Sequence, residues 1–300
     1  MPWVRTALLA AATALAATAP PAAALPADGA GVYGGGAVGD YLQLVAARVR
    51  PDGRFTARAT LVTRCSPRFG DTLTESFAVR DKRLSPESAY SATASFQDDV
   101  SPGVPAIGGL HAEGTIAFSM RVRAGGRATG ATRVRTIYTD PDTGEEVARC
   151  DTGRIGWAAR RPPLDAGMGT ATRQPGTHRG RTGQAEPFLA RVTDDGRLVR
   201  RAGMLVRVGC PSADGLPLDV VAHRVRVRRG RFAAAGDFSR PFTKPDGTRV
   251  VERYAWTMAG RFGRRGMRGT FALRGVVRRR RDDVAIGSCS TGRIPWRALR

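Results

Sequence analysis

Carboxylates are the side chains of this sequence that could supply acid and base chemistry, but their spacing does not assemble a catalytic pair. Adjacent carboxylates occur at three places: Asp98 with Asp99, Glu145 with Glu146, and Asp282 with Asp283. Neighbours along a strand point to opposite faces of a sheet, so the two members of such a pair do not converge on one bond. We interpret all three as solvated loop residues.

The three histidines offer no stronger site. His111 falls in a glycine-rich stretch, His178 in a stretch that we predict to be a linker, and His223 at a core-facing position of a predicted strand. A partly buried, hydrogen-bonded imidazole is the simplest interpretation of His223. The sequence therefore names no catalytic residue, no metal ligand and no cofactor-binding residue, and we expect no cofactor.

Two weak motifs are better explained as structure. The segment 34–39 satisfies the glycine spacing G-x-G-x-x-G, but no strand of a βαβ unit precedes it, so we interpret it as a flexible tail entering a first strand. Asp140, Asp142 and Gly144 resemble part of a calcium loop. The remaining oxygen ligands are out of place, and a hairpin turn is the simpler interpretation.

The clearest feature is a duplicated signature. The segment 150–157 reads CDTGRIGW and the segment 289–296 reads CSTGRIPW, at an offset of 139 residues. A second cysteine precedes each copy, Cys65 the first and Cys210 the second. A period of this length is typical of a duplicated domain and too long for a solenoid repeat.

The duplication selects a disulfide pairing. Four cysteines allow three pairings, but two modules that fold alike should each close their own bridge. We therefore predict the disulfides Cys65 to Cys150 and Cys210 to Cys289, each stabilising its module by about 4 kcal/mol through loop closure. Neither cysteine signature carries a repeated histidine or a C-x-x-C spacing, so a structural role is favoured over a reactive thiol.

Alternating apolar and polar residues predict strands throughout both modules. In the segment 221–228, VAHRVRVR, the valines and His223 alternate with arginines, which is typical of a half-buried strand. Turn sequences such as Asp-Gly and Pro-Asp-Gly separate the strands. We predict an all-β protein of two tandem antiparallel β-sandwich or barrel-like domains.

The ends and the middle of the chain have different compositions. Residues 1–24 combine Arg5, an alanine-rich apolar run and a small-residue cleavage site, which indicates a signal peptide. We expect a flexible tail over 25–30, domain 1 over 31–160, a disordered Pro/Gly/Thr linker over 161–185 and domain 2 over 186–300. The later sequence has no apolar run long enough to span a bilayer, so we expect a protein that is secreted or associated with the cell envelope.

Positive charge is concentrated in the second module. Residues 25–160 contain 17 basic and 15 acidic residues, whereas residues 181–300 contain 27 and 10. We name as candidate anion-binding residues Arg224, Arg226, Arg228, Arg264, Arg265, Arg268, Arg278, Arg279, Arg280 and Arg281. Such clustering attracts polyanions, although a GC-rich coding sequence that supplies arginine for any solvated base explains the same excess.

The order of motifs resembles a class of uncharacterised exported actinobacterial β-modules. In the second module this framework is Asp195-Gly196-Arg197, Cys210, Gly230-Arg231-Phe232, Gly269-Thr270-Phe271 and the segment 289–296. The first module keeps the Asp-Gly-Arg, cysteine and terminal motifs but has no clear Gly-Arg-Phe. The resemblance implies secretion and a disulfide-closed β fold, and it supplies no catalytic residue.

The function that these features favour is binding rather than catalysis. We expect a secreted binding or structural protein whose second domain contacts an anionic envelope or extracellular polymer. Specific nucleic-acid recognition is disfavoured because the basic segments contain no interleaved stacking aromatics. Two alternatives stay open: an envelope carbohydrate-active enzyme on a jelly-roll-like scaffold, which would need two carboxylates converging in a cleft, and protein adhesion through exposed strand edges.

Overall fold

A computed structural model describes residues 25–66, 72–99, 109–163, 169–210, 213–243 and 247–300. The predicted signal peptide lies outside these residues. Nine strands form the first lobe: β1 (Gly31–Val38), β2 (Leu42–Val49), β3 (Arg54–Cys65), β4 (Thr72–Arg83), β5 (Ala89–Asp99), β6 (His111–Arg123), β7 (Arg127–Thr139), β8 (Glu146–Asp151) and β9 (Ile155–Arg160).

The second lobe repeats the arrangement with eight strands. They are β10 (Gly176–Thr182), β11 (Pro187–Val192), β12 (Leu198–Cys210), β13 (Ala213–Arg226), β14 (Arg231–Thr243), β15 (Arg249–Gly263), β16 (Gly266–Arg279) and β17 (Ala285–Leu299). The single long strand β17 takes the place of β8 and β9 of the first lobe. No helix occurs in the described ranges.

The strand order is the same in both lobes. The first sheet runs β4-β3-β2-β1-β9-β7-β6-β5, and the second runs β13-β12-β11-β10-β17-β16-β15-β14, with antiparallel pairs throughout. A further pairing curls each sheet into a barrel-like shape: β8 joins β3 to β7, and β17 pairs with β12. The prediction of two tandem all-β domains is confirmed.

Each disulfide lies at this closing pair of strands. Cys65 and Cys150 face each other across β3 and β8 and are bonded. Cys210 and Cys289 are bonded beside the pairing of Gly209 with Ser290. The predicted pairing of cysteines is confirmed, and each bridge fastens the point at which a sheet meets itself.

The tryptophan of each signature fills the core of its own lobe over a glycine. Trp157 lies opposite Gly130, and Trp296 lies opposite Gly269. In both cases a Cβ on the glycine would lie 2.4 Å from the indole Cζ2, so only glycine admits the ring. Turn formation after the cysteine is also as expected, since Gly153 has a φ of 63°.

The structure corrects the prediction of a disordered linker over residues 161–185. Residues 176–182 of that stretch form β10, which pairs with β11 and β17 and so lies inside the second sheet. Its inward-facing residues are His178, Gly180 and Thr182, and the absence of bulky apolar side chains made the segment look unable to fold. Residues 164–168 lie outside the described residues.

A second correction concerns the alternation on β13. Leu218, Val220 and Ala222 are buried, and the next buried residue is Val225. The alternation changes phase at Arg224, whose φ is 53°, and His223 is therefore exposed rather than core-facing.

The two lobes pack closely against each other through their first strands. A Cβ on Gly34 of β1 would lie 1.9 Å from the carbonyl oxygen of Gly180 on β10. The glycine-rich segment, which the sequence predicts to be a flexible tail, is thus part of a strand at an interface over residues 34–38. A small apolar cluster lies in the same contact: Leu42, Leu44, Leu189 and Leu205, with Val38 and Val221 partly buried against it.

Polar contacts also join the lobes. The Glu186 carboxylate is almost fully buried and receives Arg207 Nε at 2.6 Å from its own lobe and Arg58 Nη1 at 3.6 Å from the first lobe. Arg201 donates to the carbonyl oxygens of Gly39 and Asp40. These contacts add an ion pair and hydrogen bonds to the apolar contact between the lobes.

Candidate anion-binding surface

The arginines named from the sequence lie at several separate places on the second lobe. Arg224 and Arg226 are exposed on β13, while Arg228 pairs with Arg231 at the turn into β14. Arg264 and Arg265 form the tip of the hairpin between β15 and β16. Arg268 follows on β16, and the run 278–281 lies at the other end of that strand. The predicted residues therefore do not form one cluster.

Part of the arginine run is neutralised locally. Arg278 Nη1 lies 3.1 Å from an Asp283 carboxylate oxygen, and Arg279 Nε lies 3.4 Å from an Asp282 oxygen. Arg253 on β15 adds a third contact, at 3.5 Å, to Asp283. The adjacent aspartates thus serve as counter-ions for this end of the sheet.

A row of arginines that the sequence analysis largely missed crosses the other end of the sheet. Arg231 pairs with Arg261, Arg261 with Arg268, and Arg268 with Arg297, so that four adjacent strands each contribute one arginine. Directly paired residues of antiparallel strands share a face of the sheet. We call Arg231, Arg261, Arg268 and Arg297 the arginine row.

The arginine row lies on the outer face of the sheet, because the residues next to it in sequence are in the core: Phe232, Phe262, Met267 and Trp296. Arg231 and Arg261 are exposed and Arg268 is partly exposed. Arg297 is buried at the end of the row and donates to the carbonyl oxygen of Pro163. Positive charge thus extends from the exposed Arg231 on β14 to the buried Arg297 near the C-terminal end of β17.

A hollow of about 450 Å³ lies beside the arginine row. Its floor includes Ala259, Thr270 and Pro295, whose short side chains leave the sheet surface low. Arg293 on β17 lines the hollow together with the arginine row. The result is a shallow groove with a smooth floor and cationic walls.

The groove continues along the same face of the sheet. An adjoining hollow of about 760 Å³ shares Ala259, Thr270 and Arg293 with the first and adds Arg274. Its outward-facing lining is again small, with Ala233, Ala235, Thr257 and Ala272, while the larger lining residues Met258, Phe271 and Leu273 are buried. Within the described part of the chain, the arginines 231, 261, 268, 274 and 293 form no ion pair with a carboxylate.

The same positions of the first lobe carry much less charge. Matching the strand pairs through Trp157 and Trp296 aligns the row positions 231, 261, 268 and 297 with Ala89, Arg121, Thr129 and Ala158. One arginine therefore stands where the second lobe has four.

A carboxylate also neutralises the first lobe where the second has a hydroxyl. Asp151 pairs with Arg135 across β7 and β8, and Ser290 takes the matching place opposite Arg274. The Asp151 oxygens lie 2.6 Å from Arg133 Nη2 and 3.2 Å from Arg135 Nε. Hydrogen bonds from Arg133, from the Gly153 backbone N–H and from Arg135 lower the pKa of Asp151 to about 2.

The first lobe has its own outer-face cleft, of about 930 Å³. Glu113 and Asp151 both line it, so it is the place to test the carbohydrate-active alternative. Strand β7 separates the strands that carry these two residues, and Asp151 is held ionised by two arginines. This arrangement suits a structural ion pair and supplies no raised-pKa general acid from Asp151.

Other perturbed groups lie inside the barrels. Burial raises the pKa of Glu75, whose Oε1 accepts a hydrogen bond from the Tyr138 hydroxyl at 2.9 Å. Burial lowers the pKa of His178 to about 4, and His178 Nε2 lies 2.9 Å from the Gln174 carbonyl oxygen. Across the described ranges, no three or more His, Cys, Asp or Glu residues gather in a metal-binding group.

Comparisons with known proteins give no functional assignment. No family model matches the chain, and no curated protein matches it. A "putative outer membrane protein" from Bacteroides fragilis is similar over 91% of this chain and 98% of its own, at 11% identity and a TM-score of 0.24. Kievitone hydratase from Nectria haematococca is similar over 96% and 94%, at 9% identity and a TM-score of 0.21. Among the residues described, no helix has the length and apolar character needed to cross a membrane.

Proposed function

We propose that this chain is an exported, non-enzymatic binding protein whose second lobe contacts an anionic extracellular polymer. The observation that carries the proposal is the arginine row, which is bordered by further arginines without carboxylate partners among the described residues. Export is supported by the two disulfides, which form and persist in oxidising compartments, and by the signal peptide predicted over residues 1–24.

The groove favours a polymer over a small anion. Arginines at 231, 261 and 268 follow one another across three strands, and neighbouring strands lie about 4.8 Å apart. A small anion would engage one or two of them, whereas a chain of charges engages all of them together. Multiple weak contacts on one chain raise the overall affinity steeply.

A pair of variants of equal charge tests the proposal on the full chain. One variant carries R231Q, R261Q and R268Q in the second lobe. The other carries R121Q, R123Q and R154Q at exposed positions of the first lobe. Affinity for a panel of soluble linear polyanions is measured by titration calorimetry at several salt concentrations. We expect the second-lobe variant to lose at least about tenfold in affinity, since each lost charged hydrogen bond contributes about 1.5 kcal/mol or more.

The first-lobe variant should bind within about twofold of the unmodified chain. Equal losses in both variants would show that only the net charge of the chain matters. Failure of the unmodified chain to bind any polyanion at physiological salt would overturn the proposal.

A further inference from the structure

We infer that the groove beside the arginine row binds one chain of a linear acidic polysaccharide with a carboxylate on successive sugars. The polysaccharide crosses strands β14 to β17 rather than running along them. This inference rests on the proposed function and specifies its ligand class and its site.

The spacing of the charges is the first argument. Adjacent strands place the row arginines about 4.8 Å apart at the backbone, and a polyuronate repeats its carboxylates at the length of one sugar ring, a distance of the same order. Phosphates along one strand of duplex DNA advance only about 3.4 Å each along the helix axis, because the strand winds around that axis. A row of arginines across a sheet therefore fits the acidic sugars of an extended chain better than the winding phosphates of a duplex.

The floor of the groove is the second argument. Single-stranded nucleic acids gain much of their affinity by stacking bases on exposed aromatic side chains. Trp296 and Phe271 line the groove, but each is 1% exposed and faces the core, where Trp296 stacks on Phe188 with ring centroids 4.2 Å apart. Ala259 and Thr270 offer a low surface over which a sugar ring can pass, and no platform for a base.

The chemistry of the walls is the third argument. A guanidinium is planar, remains charged at every physiological pH and binds a carboxylate through two parallel hydrogen bonds. Arg261 and Arg268 are directly paired on β15 and β16 and form the middle of the row. Arg293 lines the same hollow from β17, so it offers the polysaccharide a further cationic contact beside the arginine row.

The test uses the full chain and two variants of equal net charge. R261Q/R268Q removes the middle of the row, and R200Q/R249Q removes two exposed arginines of the same lobe outside the groove. The probes are polygalacturonate, galacturonic acid monomer, polyphosphate and single-stranded DNA, each titrated at fixed ionic strength. Far-UV circular dichroism checks that both variants keep the β fold.

We expect polygalacturonate to bind tightest and the monomer to show no measurable binding under the same conditions. R261Q/R268Q should weaken polygalacturonate binding by at least about tenfold, and R200Q/R249Q by less than about twofold. That pattern would support both the site and the ligand class.

Three other results would overturn the inference, and they are distinguishable. Tighter binding of polyphosphate or DNA than of polygalacturonate would reject the polysaccharide while leaving polymer binding by the second lobe intact. Equal losses in the two variants would reject the groove as the site. Binding of no probe by the unmodified chain would reject the proposed function together with the inference.

Discussion

The two lobes share one strand order and one disulfide position, yet their outer faces differ in charge. Where the second lobe has Arg231, Arg261, Arg268 and Arg297 in a row, the first has one arginine. Where the first lobe has Asp151 to neutralise its arginines, the second has Ser290. Outer-face positions bear little of the packing, so they are free to diverge after a duplication while the core is kept.

The interiors differ in one instructive position as well. Tyr33 and His178 hold matching places, since each pairs with an alanine of the following strand and each bonds a carbonyl oxygen four residues earlier. The Tyr33 hydroxyl donates to Gly29 at 2.6 Å, and the segment 25–30 that we predicted to be a flexible tail is anchored there, with Leu25 packed against the core. The hydrogen bond, rather than the residue type, is what the two lobes share.

The largest expected effect tests whether the lobes are equivalent in stability. C65A/C150A and C210A/C289A should each lower the free energy of unfolding by about 4 kcal/mol, because the two closed loops have similar sequence separations of 85 and 79 residues. Guanidinium unfolding followed by tryptophan fluorescence measures both. A large loss from one pair and none from the other would break the equivalence.

The next effect separates the lobes by their response to acid. The folded pKa of His178 is lowered to about 4 by burial, whereas an unfolded histidine titrates near 6.5. The contribution of neutral His178 to the free energy of unfolding is therefore complete above pH 6.5. It is lost as the pH falls from 6.5 to about 4, by about 3 kcal/mol in all. Unfolding midpoints across this range would measure the loss.

H178Y provides the matched control, because it introduces the residue that the first lobe uses. Tyrosine keeps a donor for the Gln174 carbonyl oxygen and does not titrate between pH 4 and 6.5. The slope of stability against pH in this range should become shallower in H178Y, even if the larger ring lowers stability overall. An unchanged slope would assign the acid sensitivity to other groups.

The third effect tests the contact between the lobes. G34A places a methyl group where the Gly180 carbonyl oxygen lies 1.9 Å away, and should destabilise by about 1–3 kcal/mol through overpacking. G156A is the control, on strand β9 of the same lobe. Nothing lies within 4 Å of the place that a Cβ would take there, so the free energy of unfolding should change by less than about 0.5 kcal/mol. Unfolding in denaturant measures both variants. A small loss of stability in G34A would mean that the lobes can move apart at little cost in free energy.

The sequence predicted the parts of this fold that depend on local pattern or on the repeat. The pairing of the four cysteines, the turn at Gly153 and the all-β class followed from the duplicated signature and from alternation. Strand β10 was missed because His178, Gly180 and Thr182 face the core without looking apolar. Its relation to β1 was nevertheless recoverable, since Tyr33 and His178 share the offset of 145 residues that separates Cys65 from Cys210.

The arginine row was missed for a different reason. Arg231 and Arg297 are far apart in sequence, and strand register is needed to bring them onto one face. One local signal was present: Arg261 and Arg268 stand symmetrically about the hairpin turn at residues 264–265 and must therefore pair. Clusters of adjacent arginines, such as the run 278–281, were more visible but are partly neutralised by Asp282 and Asp283.

The smallest expected effect decides whether position or net charge governs polymer binding. S290D introduces the first lobe's carboxylate opposite Arg274, beside the groove, and should weaken polyanion affinity up to about fivefold, the equivalent of an exposed ion pair. D151S removes the counter-ion of Arg133 and Arg135 in the first lobe and should change groove affinity by less than about twofold. Titration with the same polymer at constant salt measures all variants.

The double variant D151S/S290D is the informative member of the set, because its net charge equals that of the unmodified chain. If the groove is the site, the double variant binds as weakly as S290D alone, since the charge gained in the first lobe lies on a different sheet. If only the total charge of the chain matters, the two changes cancel and the affinity returns to its original value. That second outcome would remove the functional meaning of the difference between the lobes.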